Sequence, residues 1–148
     1  MGGMVIAIAS LILTLAAIAY AWLRGGRPER YAAALLVAMI ALQAAGHAFA
    51  PLIYKSVDPV GLAVDLVGLA GFSWLGISSR RIWPLWAGSL QLLSIGAHFV
   101  RALSIPVRPP VYYWMKSLPT VVVILLLILG TWSHQRRELQ RKRSSSPS

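Results

Sequence analysis

The chain has 148 residues, 57% of them hydrophobic and only 12% charged, with a mean hydropathy of +0.68. A soluble domain is about 25% charged, so this composition excludes a soluble globular domain and a disordered polymer. The absence of cysteine excludes disulfides, thiolate metal ligands and a cysteine nucleophile.

Five apolar segments follow in chain order, over 4–23, 32–54, 60–78, 82–105 and 111–132. Each is long enough to cross a hydrocarbon core of ~30 Å as a helix. The first is uncharged. The second carries Gln43 and His47, the third Asp65, and the fourth Gln91, His98 and Arg101. The fifth carries Lys116 near its start and then an unbroken apolar run over 121–129. The runs are about twice the length of a barrel strand and lack its alternation. The connectors 24–30, 55–59, 79–81 and 106–110 are short, so neighbouring helices run antiparallel. The expected fold class is an all-α membrane protein: a single five-helix transmembrane domain over 1–132, then a basic, Ser-rich tail over 133–148 expected to be disordered. Pro59 and Pro84 suit helix starts. Pro51 and Pro119 are placed to kink their helices. Ala19-Tyr20-Ala21 has the look of a signal-peptidase site, but cleavage would leave the arginines of 24–30 outside, so the first span is expected to stay.

The net charge of +10 comes from 14 Lys and Arg against 4 acidic residues. In short loops beside apolar runs, such an excess fits the cytoplasmic face of a bilayer rather than nucleic acid. With the N-terminus outside, the inner side holds ten basic residues: Arg24, Arg27, Arg30, Arg80, Arg81, Arg136, Arg137, Arg141, Lys142 and Arg143. The outer side holds four, Lys55, Arg101, Arg108 and Lys116. This bias predicts an outer N-terminus and a cytoplasmic C-terminus. Aromatic rings fall into matching belts, with Trp22, Tyr31, Trp74, Trp83, Trp86 and Trp132 near the inner interface and Tyr54, Tyr112, Tyr113 and Trp114 near the outer one. The tail cations Arg136, Arg137, Arg141, Lys142 and Arg143 read as an anionic-lipid anchor.

The most informative chemistry is a coincidence of depth. At 1.5 Å per residue, His47 lies ~10 Å below Tyr54, Asp65 ~9 Å below Pro59, His98 ~10 Å below Ile105 and Lys116 ~9 Å below Pro110. Arg101 is shallower, at ~6 Å, and Gln43 and Gln91 lie deeper. Four helices therefore place ionisable groups in one layer of the outer leaflet. A bare charge there costs several kcal/mol. Asp65 is expected to face inward and bond to His47, His98 or Arg101, while Arg101 and Lys116 snorkel outward. Gly61, Gly68, Gly71 and Gly76 make the third span the central helix, because small residues let backbones approach.

The layer has a structural reading and functional ones. As glue, its hydrogen bonds hold a bundle together at ~0.6–2 kcal/mol each. As a site, it is a proton relay or a ligand anchor. The two histidines also suit axial ligation of haem b, if both face one gap. No cofactor and no metal are expected; His47, His98 and Asp65 match no local zinc spacing. No phosphate-binding glycine motif occurs. Gly71-Phe-Ser73-Trp-Leu is not a nucleophile elbow, so no catalytic residue is assigned.

Ile82-Trp-Pro-Leu-Trp, then Gln91 and His98 on one helix, then Ile128-Leu-Gly-Thr-Trp followed by basic residues resembles small multi-span membrane proteins of sphingomonad-type alphaproteobacteria. The resemblance covers the C-terminal half. It implies a bacterial inner-membrane location and brings no activity.

The leading expectation is a structural or accessory membrane subunit, not an enzyme. Its partner is another membrane protein or a second copy, docked on the small face Ala34, Ala38, Ala41 and Ala45. The alternatives are a small proton-linked transporter using the Asp/His layer and a haem- or quinone-binding subunit.

Overall fold

The structure is a computed structural model that describes residues 2–49, 58–106 and 108–145. Five helices account for almost all of them: α1 (Gly2–Arg24), α2 (Arg27–Phe49), α3 (Pro59–Ser79), α4 (Ile82–Ala102) and α5 (Pro109–Ser144). Three are long and apolar enough to cross a membrane, namely α2, α3 and the Leu118–Ser144 part of α5. Ile8–Arg24 in α1 is a shorter apolar helix. These features point to a membrane protein. α4 is diluted by Gln91, Ser94, His98 and Arg101, and the first three of these are buried in the bundle.

Each helix packs on the next in sequence, and α5 returns to pack on α1. α5 also touches α2, and the result is a closed ring in which consecutive helices are antiparallel and α1 and α5, which close it, run parallel. Its core is Ala17, Ala21, Ala32, Ala33, Leu36, Val64, Phe72, Leu75, Ala87, Val123, Ile124 and Leu127, among others. The outside is also apolar: Ile12, Leu15, Val37, Leu66, Ile77, Leu92 and Leu125 are each at least 40% exposed. Trp22, Tyr31, Trp74, Trp86 and Trp132 are likewise exposed near the α1–α2 and α3–α4 turns.

Local chemistry explains the helix ends. Asp58 caps α3, its carboxylate accepting from the Gly61 N–H (3.1 Å), with Pro59 in the first turn, where no N–H is needed. α3 ends on Arg80 in the left-handed region (φ 52°), and the Arg80 and Arg81 N–H groups close on the carbonyls of Ile77 and Gly76. Pro119 is buried inside α5, which nevertheless runs on.

Two expectations change. α5 does not stop at 132; it continues to Ser144, so the segment expected to be a disordered tail is helical over 133–144. At 36 residues the helix is about 54 Å long, well beyond a ~30 Å core. Helix-favouring Gln, Arg, Glu, Leu and Lys dominate this stretch. The Arg137 side chain bonds back to the Ser133 hydroxyl (3.0 Å), and the Arg136 guanidinium stacks 3.8 Å from the Trp132 ring centroid. The second apolar segment yields a helix that begins earlier than expected, at Arg27, with Pro28 in its first turn. Pro51, Tyr54 and Lys55 lie outside the described residues.

The three basic connections share one end of the bundle. The Tyr20 hydroxyl donates to Gln135 Oε1 (3.0 Å), joining α1 to α5. Arg81 Nη1 meets Glu29 Oε1 (3.1 Å), joining the α3–α4 turn to α2. The α1–α2 turn is tight: a Cβ on Gly25 would collide with the Ala21 carbonyl oxygen and lie 2.6 Å from Glu29 Cβ. Gly25→Ala is therefore expected to destabilise by about 1–3 kcal/mol through overpacking. Gly96, whose Cβ position is open, behaves oppositely. Gly96→Ala is expected to stabilise by up to about 1 kcal/mol through helix propensity. Unfolding in mild detergent, followed by helical circular dichroism against denaturant, checks both signs together.

Candidate functional site

α3 carries the site. Asp58, Gly61, Asp65 and Gly68 recur at three- and four-residue steps, which places them along one helix face. Gly61 and Gly68 are buried, and Asp65 is 15% exposed at the side chain.

Two acid–histidine pairs lie on this face. His98 Nε2 stands 3.3 Å from Asp65 Oδ2, and the Ser94 hydroxyl donates to the same oxygen at 2.6 Å. Ser94 and His98 are four residues apart on α4, so one face of that helix supplies both contacts. About two turns towards the N-terminal end of α3, His47 Nε2 lies 3.2 and 3.3 Å from the two oxygens of Asp58. Gly61 separates the pairs: a Cβ there would sit 2.8 Å from Asp58 Oδ2 and 3.2 Å from His98 Cε1. Only glycine leaves the two pairs this close.

His98 is 3% exposed, and its Nδ1 is buried without a hydrogen-bond partner among the described residues. The ring is thus tied through one nitrogen and leaves the other unused.

Asp65 also borders a cavity of about 450 Å³ in the middle of the ring. Every helix contributes to its wall: Ser10 and Thr14 from α1, Met39 and Gln43 from α2, Val64 and Asp65 from α3, Gln91 from α4, and Thr120 and Val123 from α5. Gln91 is pressed against Gly68, whose Cβ would lie 3.0 Å from its amide. A mostly apolar wall with a few converging polar groups, at this volume, has the makeup of a small-molecule site.

The sequence-based layer therefore divides. Asp65, Gln43 and Gln91 come together around the cavity, and His98 is joined to them through its contact with Asp65 rather than by bordering the cavity. His47 does not join Asp65; its carboxylate partner is Asp58. Arg101 is exposed at the end of α4. Lys116 sits on the third turn of α5, and its side chain lies outside what is described. Each histidine considered as an axial ligand has Nε2 against a carboxylate. Among the described residues, no three His, Cys, Asp or Glu side chains cluster as a metal site. Three participants were missed from sequence. Asp58 was read as a connector, although Asp-Pro before an apolar run is a helix-start signal. Ser94 was passed over, although it lies one turn from His98. Glu29 is fully buried against Arg81 but was counted as a connector residue.

The chain matches no protein-family model, no curated protein and no solved structure.

The hydroxyl contact is separately testable. Ser94→Ala removes a donor to Asp65 and is expected to cost about 0.6–2 kcal/mol, the range for hydrogen bonds between membrane helices. Ser89, on the same helix, donates only to its own Leu85 carbonyl, so Ser89→Ala is expected to be silent. Equal effects in SDS unfolding titrations would show that the Asp65 contact contributes nothing.

Proposed function

We propose that the protein is a five-span protein of the bacterial inner membrane and a small proton-linked carrier, with its N-terminus outside and its C-terminus cytoplasmic. The observation that carries the reading is the central cavity, walled by all five helices and bordered by a carboxylate paired to a buried histidine. Bundle glue alone accounts for the Asp65–His98–Ser94 contacts but leaves the cavity without a role. Asp65 is the anchor for a small solute carrying hydrogen-bond donors, such as a protonated amine, and Gln43 and Gln91 orient it. Proton occupancy of the Asp65–His98 pair decides whether the carboxylate is available, which links solute and proton.

The orientation is supported by the gathering of the Arg24–Arg30 connection, the Arg80–Arg81 turn and the α5 extension at one end, as the positive-inside bias requires. Reporter tags at the two termini are expected to show opposite compartments.

A second reading, an accessory subunit, draws on a different observation. Ala34, Ala38, Ala41 and Ala45 are all exposed on the outer face of α2, where a partner helix can approach closely. Under that reading the chain co-purifies with a larger membrane complex, and Ala38→Leu with Ala41→Leu releases it.

The carrier reading is tested in proteoliposomes loaded with a pH-sensitive dye and offered a panel of small amines. At least one amine is expected to drive proton movement through the wild-type protein. Asp65→Asn is expected to abolish that movement while leaving yield and elution profile intact. Proton movement that is absent from the wild type, or unchanged in the variant, removes the reading.

A further inference from the structure

At the basic end, the α1–α2 turn and the α5 extension enclose a cavity of about 610 Å³. Arg24, Arg27, Arg30, His134 and Lys142 border it, drawn from three helices. Glu138 is the only acidic residue on its wall and lies 3.9 Å from His134. Four permanent cations thus face one carboxylate. α2 begins at this turn, so its positive dipole end adds to the field. The turn presses on α5, since a Cβ on Gly26 would lie 2.8 Å from His134 Cε1.

One lining residue of this cavity is shared with a second, apolar surface. Leu23, on its border, also borders a groove of about 590 Å³ between α1 and α2. Ile18, Ala19, Trp22, Ala34 and Val37 line that groove, and it is almost wholly apolar. A polar, cationic chamber beside an open apolar groove along two helices, with one leucine common to both, matches the two parts of a phospholipid, with phosphate and chain side by side. A free phosphate would use the chamber and leave the groove without a role.

We propose that these two compartments bind one anionic phospholipid, its phosphate among Arg24, Arg27, Arg30 and Lys142 and one acyl chain against Trp22 in the α1–α2 groove. The site differs from the diffuse basic surface of the helical tail. Arg136, Arg137, Arg141 and Arg143 are exposed and do not border the chamber. The proposal rests on the membrane residence of the chain and not on the carrier activity.

The test is native mass spectrometry of the full chain in mild detergent, titrated with dioleoyl phosphatidylglycerol, dioleoyl phosphatidylethanolamine or inorganic phosphate. One phosphatidylglycerol is expected to stay bound, in preference to phosphatidylethanolamine. At roughly fivefold per surface cation, Arg27→Gln with Arg30→Gln is expected to weaken binding about 25-fold. Arg136→Gln with Arg137→Gln should weaken it less than about twofold if their charges lie beyond the first contacts. Arg27→Lys with Arg30→Lys keeps the charge and is expected to keep the lipid. Ala19→Trp fills the groove and is expected to erase the advantage of dioleoyl over dihexanoyl phosphatidylglycerol. Equal binding of the two headgroups, equal loss from both glutamine pairs, or loss in the lysine pair overturns the proposal. So does displacement by millimolar inorganic phosphate, which would assign the chamber to free phosphate. Membrane residence is read independently, from sedimentation of the untreated chain with the membrane fraction.

Discussion

A carboxylate taken out of water costs several kcal/mol unless donors replace the water it loses. Most of the described exterior of this ring offers few, because Leu, Ile, Val and aromatic side chains cover much of it. Asp65 must therefore point inward, towards Ser94 and His98. Once it does, the helical repeat decides the rest of α3: Gly61, Val64, Gly68, Phe72 and Leu75 turn inward with it. Gly61 and Gly68 then let His98, Gln91 and Met39 come close. One ionic contact and a 3.6-residue period are enough to fix the rotation of the central helix and the face of α4 that meets it.

The same demand runs through the whole chain. It has 4 acidic residues, and each meets a cationic or ionisable partner: Glu29 with Arg81, Asp58 with His47, Asp65 with His98 and Glu138 with His134. The first three each join different parts of the fold, at the α2 to α3–α4 turn contact, between α2 and α3, and between α3 and α4. Glu29 is the most committed, being fully buried with Arg81 as its ion-pair partner. Removing one member of such a pair leaves an uncompensated charge, which costs more than the pair contributes. The sparse acids therefore act as joints between helices, while most of the surplus cations collect at one end.

Much of this was legible in the sequence, and the limits have physical causes. Helix number and approximate bounds follow from the number and length of the apolar runs, and three of the five helices are long and apolar enough to cross a membrane. The meeting of Asp65 and His98 followed from equal depth on adjacent helices. His47 has that depth too, yet pairs elsewhere; depth fixes height along a helix but not rotation about it. The partner of His47 was hidden because Asp58 lies outside the apolar run that defines a span. The helical tail was hidden for another reason: Ser and Arg content suggests disorder when read alone, whereas Tyr20–Gln135 ties the start of the stretch to α1 and the Trp132–Arg136 stack supports the helix from within. Burial of Glu29 depends on the turn at Gly25-Gly26 meeting Arg81, 55 to 56 residues later, which no local pattern encodes.

Two compartments now have to be reconciled with one closed ring. All five helices contribute to the wall of the central cavity, but its border residues Ser10, Leu11, Ile40 and Thr120 are exposed, so it opens to the outside of the bundle beside α1, and any movement of a wall helix would widen that opening. α1 is the one with least to lose. Among its described residues only Ala17 and Ala21 are buried, and it packs chiefly on α2 and α5. Few buried contacts mean a low local cost of opening. α1 also supplies Ser10 and Thr14 to the cavity wall, so its displacement would uncover the polar side of the chamber directly. Its other end is fixed by the tight Gly25 turn and by Tyr20 on Gln135. A helix pinned at the basic end and lightly held above it pivots rather than slides. The α1–α2 groove runs along the same two helices, so an acyl chain seated there would hold them at their spacing beside Asp65.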